Sequence, residues 1–83
     1  MLDVKVLGPG CANCSKLEEI TRQAINMLAI EAKVEKVNKH DEIMALGVLS
    51  TPGLVINDQV VSSGRLPTES EVITWLTNAL EAG

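Results

Sequence analysis

The sequence predicts an α/β fold, a mixed four-stranded sheet flanked by helices in the order β-α-β-α-β-β-α. Three observations carry that expectation. The apolar period is two at the N-terminus and changes to three and four between residues 11 and 29. Two β-branched runs flank an Asn57-Asp58 pair, which reads as an antiparallel hairpin. Thr68-Glu69-Ser70-Glu71 has the spacing of a capping box before a last apolar stripe. The chain has 83 residues and is 46% hydrophobic, enough for a small core and for one domain over residues 1–83.

Each element follows from local pattern. Leu2 to Leu7 alternates apolar and polar, a strand, and Gly8-Pro9-Gly10 stops it. Cys14, Leu17, Ile20, Ala24, Met27 and Leu28 then recur at helical spacing, predicting an amphipathic helix from about Cys11 to Ala29. Ala32 to Val37 forms a second strand with Lys and Glu outside. Asp41 is placed to cap a brief helix through Leu46, which Gly47 ends. After Ser50-Thr51-Pro52-Gly53 come Leu54-Val55-Ile56 and Val60-Val61, the arms of the hairpin, and Gly64 breaks the second arm. Val72, Ile73, Leu76 and Leu80 give the final helix its buried stripe. A strand-helix-strand unit of this length crosses over right-handed into a parallel pair, and the hairpin adds two antiparallel strands.

Composition excludes several functions. Trp75 is the sole aromatic residue and the net charge is −4, so aromatic base stacking is ruled out and a nucleic-acid partner is not expected. No run of apolar residues is long enough for a membrane span, and Met1-Leu2-Asp3-Val4 has no secretory pattern, so a cytoplasmic location is expected. Two cysteines three apart cannot build the disulfide framework of a small secreted domain; they read as a local redox or metal pair.

Cys11-Ala12-Asn13-Cys14 stands where a strand ends in a glycine-rich turn and a long helix begins. The helix N-terminus offers free N–H groups and about +0.5 charge, which stabilise a thiolate and lower a cysteine pKa from about 8.5 toward 7. Residues i and i+3 share a helix face, so the two sulfurs are placed to close a small disulfide ring. Cys11 falls at the exposed tip, while Cys14 is in phase with Leu17 and Ile20. This asymmetry makes Cys11 the attacking thiol and Cys14 the resolving one. The other reading of the pair is two small core residues. Thr51-Pro52 lies beside the same helix end in this topology. An X–Pro bond is ordinarily trans; a cis bond here would present the Thr51 backbone as a short strand edge for an extended peptide.

With these residues in hand, the chain resembles the thioredoxin/glutaredoxin fold in its minimal form over its whole length. It is most similar to very small microbial thioredoxin-like proteins that carry Gly-x-Gly-Cys-x-x-Cys near the N-terminus. The resemblance implies a thiol-disulfide oxidoreductase acting on protein disulfides, with Cys11 as nucleophile, Cys14 as resolver and Pro52 as a cis-proline. It implies a monomer with no bound cofactor, reduced by an upstream reductase, with Gly10, Ala12, Asn13, Thr51, Pro52 and Gly64 forming the peptide-contacting surface. Ala12-Asn13 is neither the Gly-Pro of thioredoxins nor the Pro-Tyr of common glutaredoxins, and Gly10 replaces the usual tryptophan before the first cysteine. The glycine-rich acidic signature that holds glutathione in glutaredoxins is missing; Ser63-Gly64-Arg65 stands near that place.

A rival reading is a soft-metal carrier. Val6 to Cys14 also resembles the loop of heavy-metal-associated domains, which hold Cu(I) through two thiolates. Against it, Pro9 stands where that family has Met, and the predicted chain ends in a capped helix rather than a strand. A structural zinc site usually needs four ligands, so one CxxC suffices only if two chains share it. A third reading, an adaptor with incidental cysteines, would retain binding when both are replaced by Ser. His40 is assigned no role, Trp75, Met27 and Met44 read as packing, and Glu18 and Glu19 read as exposed.

Overall fold

The computed structural model describes residues 2–8, 12–48 and 50–82. Its elements are β1 (Leu2–Leu7), α1 (Ala12–Leu28), β2 (Ala32–Val37), α2 (His40–Ala45), β3 (Gly53–Ile56), β4 (Gln59–Ser63) and α3 (Glu69–Ala82). The strands form one sheet in the order β2-β1-β3-β4. β1 is parallel to β2, and β3 is antiparallel to both β1 and β4. This is the mixed four-stranded α/β architecture that the sequence predicts.

Side-chain alternation along β1 separates two cores. Leu2, Val4 and Val6 point to the face covered by α1 and α3, where they meet Leu17, Ala24, Leu54, Ile56, Val72 and Leu76. Leu7 points to the other face and joins Val37, Val55, Val48 and Ile43 of α2. Because α2 is only six residues long, it covers one end of that face. Toward the other end Asp3, Lys5, Lys33 and Glu35 remain partly or wholly exposed. The edge strand β2 thus carries charge outward, which discourages pairing with another chain.

The turns are set by residue chemistry. Asn57 and Asp58 adopt φ of 50° and 66°, the paired left-handed conformation of a tight hairpin. The Asn57 amide donates to the Asp3 carbonyl at 2.8 Å and its side-chain oxygen accepts from the Asp3 N–H at 2.9 Å, locking the hairpin to β1. Beyond that turn the pairing passes from Val55–Val60 to Leu54–Ser62, leaving Val61 as the extra residue of a bulge. Gly47 ends α2 with φ +86°; its N–H bonds the Met44 carbonyl and that of Val48 bonds Ile43, a pattern that favours glycine.

Four expectations are corrected. The buried stripe of α1 is Cys14, Leu17, Thr21 and Ala24, whereas Met27 is 69% exposed. Met27 lies about 100° around the helix from Leu28, off the 14-17-21-24 row, so Thr21 takes the buried place and bonds its hydroxyl to the Leu17 carbonyl at 2.7 Å. Met44, also read as packing, is exposed on α2, and so is Leu80 near the end of α3. Asp41 does not cap α2: the helix starts at His40, so Lys39 holds the cap position without a side-chain bond and Asp41 sits inside the first turn.

Candidate active site

Strand register brings three loops to one end of the sheet. Leu7, Gly53 and Ser63 lie side by side on β1, β3 and β4, and Leu7 also faces Val37 of β2. One residue further out on each chain stand Gly8, Pro52 and Gly64. The Gly8 N–H donates to the Val37 carbonyl at 2.9 Å, and the Gly64 N–H donates to the Pro52 carbonyl at 3.0 Å. One backbone hydrogen bond thus ties the Gly8 turn to β2, and the other joins the Pro52 and Gly64 loops.

Cys14 is presented onto this platform from the first turn of α1. It is 2% exposed, and its sulfur is in a disulfide. Gly8 is required beneath it, since a Cβ built on Gly8 would fall onto Cys14 Sγ and lie 3.1 Å from Cys14 Cβ. The same position is 3.9 Å from Thr51 Cβ, so Gly8, Cys14 and Thr51 meet at one point. The Thr51–Pro52 bond is cis, the alternative raised from the sequence. Thr51 is exposed and Pro52 buried. Ala12 and Asn13 are exposed in the first turn of α1. Cys11 and Gly10 lie outside the described residues.

Gly64 closes the far side. Its φ is +79°, and an added Cβ would stand 3.1 Å from Ser50 Cβ; glycine is needed here on both counts. Arg65 then reaches across the start of α3, its Nη1 and Nη2 donating to the two Glu71 carboxylate oxygens at 3.0 and 2.6 Å. Glu71 also accepts from the Thr68 N–H at 3.1 Å while its own N–H donates to Thr68 Oγ1 at 3.2 Å. This is the capping box expected from the sequence. The Arg65 guanidinium and the Thr68 N–H together hold the Glu71 carboxyl at about 2, far below its usual range. Sequence spacing pointed to the cap but gave no sign that Arg65 joins it, because the two residues are six apart across a loop and a helix start.

The carboxylate nearest Cys14 along α1 is also engaged. Glu18, one turn on, pairs with Arg22 at 3.1 Å and Lys36 at 3.5 Å. The hydrogen bond from Arg22, with Lys36 adding to it, keeps the Glu18 carboxyl below its ordinary value. No acidic side chain stands in the first turn of α1. Among the described residues no group of three or more His, Cys, Asp or Glu side chains is placed to hold a metal ion, and no helix is long and apolar enough to cross a membrane.

A mixed sheet in this strand order, with a buried helix-tip cysteine facing a cis-proline loop, defines the thioredoxin-like class of α/β proteins. The comparisons narrow it: the family model described as thioredoxin domain matches residues 2–77, and the chain belongs to that family. The chain is 35% identical to a thioredoxin of Methanothermobacter thermautotrophicus over 72 residues, covering 87% of this chain and 94% of that protein. It is 33% identical to a thioredoxin of Methanocaldococcus jannaschii over 81 residues, covering 98% and 93%.

Proposed function

We propose that the chain is a thiol-disulfide oxidoreductase acting on protein disulfides, with Cys11 as the attacking thiol and Cys14 as the resolving one. The observation that carries this reading is Cys14 itself: buried, disulfide-bonded and seated against Gly8, where the Thr51 side chain also comes close. In this reading Cys11, the one other cysteine of the chain, closes the disulfide with Cys14. A sulfur as buried as Cys14 Sγ cannot meet a disulfide on another protein, and the first attack falls to Cys11.

The Cys11 thiolate attacks one sulfur of the substrate disulfide, forming a mixed disulfide and expelling the other substrate sulfur as a thiolate. The Cys14 thiolate then attacks Cys11 Sγ, which releases the second substrate thiolate and leaves Cys11–Cys14 oxidised. Two electrons have passed to the substrate, and an upstream reductase returns them. The substrate is read as an extended segment laid along the Thr51 backbone, bordered by Gly10, Ala12, Asn13, Pro52 and Gly64. The protein works as a monomer, and a pair that must be re-reduced suits the reducing cytoplasm.

The test is a redox titration of metal-free protein in defined thiol/disulfide buffers, trapped by alkylation and weighed. A two-electron transition within the monomer, between about −270 and −120 mV, is the expected result. Thiols that stay free under oxidising buffer would overturn the reading, and Cu(I) and Zn(II) binding would then be measured.

A further inference from the structure

The β4–α3 loop, residues 64–68, is held more firmly than its length requires. Its first residue donates to the Pro52 carbonyl and is wedged over Ser50. Pro67 is buried. Arg65 is bound at both terminal guanidinium nitrogens by Glu71, and the same carboxylate accepts from the Thr68 N–H. Arg65 and Glu71 are both at the surface, with side chains 54% and 36% exposed. An ion pair so exposed adds little to stability, yet its bidentate geometry fixes direction as a single point charge cannot. The residue it fixes is the immediate neighbour of Gly64, and Gly64 is what holds the Pro52 carbonyl.

We propose that Arg65 and Glu71 form a positioning clasp that sets the Gly64 turn against the cis-proline loop and so shapes the groove in which a protein substrate's extended segment docks. The clasp touches neither sulfur. It acts through Gly64 on the docking of large substrates, leaving the exchange chemistry at the cysteines unaltered. The inference rests on the oxidoreductase reading above.

Glu71→Gln separates the clasp from the cap. A glutamine can still accept from Thr68, as the capping box allows, but it loses the charge that binds Arg65. Wild type, E71Q, R65A and R65K would be compared on a disulfide-bonded protein substrate and on a small aromatic disulfide, with Tm recorded for each. The expected result for E71Q and R65A is a KM for the protein substrate raised about two- to fivefold, the range an exposed pair can carry. kcat and the small-disulfide rate should stay at wild-type values, and R65K should restore part of the loss. Unchanged KM in both variants would overturn the clasp. So would equal loss on both substrates, which would mark a general structural defect. If wild type itself turns over neither substrate, the oxidoreductase reading fails first, and the wild-type arm alone reveals that.

Discussion

Helix α3 is capped by Thr68 and has Glu69 and Glu71 in its first turn, and α2 carries Asp41 and Glu42 in the same place, whereas the first turn of α1 has no acidic side chain. The dipole at a helix N-terminus welcomes negative charge. In α3 that charge is supplied from within, by a carboxylate fixed at both ends by Thr68 and Arg65. In α1 the chain offers Ala12, Asn13 and Cys14, leaving the same field for a thiolate. On the oxidoreductase reading proposed above, one terminus serves stability and the other reactivity, and exchanging their features should exchange those properties.

The largest expected effect breaks the reactive end sterically. Gly8→Ala places a methyl group on Cys14 Sγ, and the site can yield only by shifting β1 or α1. We expect a loss of about 1–3 kcal/mol, the range for overpacking a core, together with slowed disulfide exchange. Calorimetry and the small-disulfide rate check it; a variant with wild-type Tm and rate would show that the sulfur is not seated against Gly8.

Thr68→Ala should break the stable end alone. Losing the cap costs about 1 kcal/mol, which lowers Tm by about 4–8 °C for a domain of this size. The small-disulfide rate should not change, because Thr68 belongs to the other terminus. A parallel fall in rate would mean that the two ends are not independent.

Much of this contrast was legible in the sequence. The residue periods placed β1 and β2 at their observed bounds, Asn57-Asp58 marked the hairpin, and the Thr68/Glu71 spacing marked the cap. These are local signals, read within one turn of chain. Burial was harder to read where two apolar residues adjoin: Met27 and Leu28 are both apolar, but only Leu28 continues the 14-17-21-24 row, so Met27 faces solvent while polar Thr21, on the row, is buried. The contacts of Gly8 with Cys14 and of Arg65 with Glu71 arise from tertiary register and a loop crossing, for which no residue spacing is diagnostic. Cys11 and Gly10, singled out by motif, lie outside the described residues.

Asn13→Asp should give α1 the acidic first turn that α3 has. The added carboxylate satisfies the helix dipole, so Tm should hold or rise. The thiolate then shares the field, and the midpoint of thiol alkylation against pH should move up by about 0.2–0.7 unit, which corresponds to about 0.3–1 kcal/mol of dipole interaction. Stability and reactivity should therefore change in opposite senses. A midpoint that stays put or falls would remove the electrostatic difference between the two termini.

The smallest effect is the pH dependence of the α3 end. Glu71 titrates at about 2 when folded against an ordinary value of 4.5, because Arg65 and the Thr68 N–H favour its charged form. A depressed carboxyl contributes stability that is fully present above its unfolded value and is lost as pH falls through the folded one. The window is thus from about pH 4.5 down to about 2. Glu18 contributes in the same direction through Arg22 and Lys36, so acid unfolding of wild type reports both groups. The Tm difference between wild type and E71Q isolates Glu71: it should be constant above about pH 5 and shrink to nothing near pH 2. Because the carboxylate is open to solvent, added salt should narrow that difference at neutral pH. A difference that persists undiminished at pH 2 would mean that E71Q acts through packing or the cap, with the charge of the clasp playing no part.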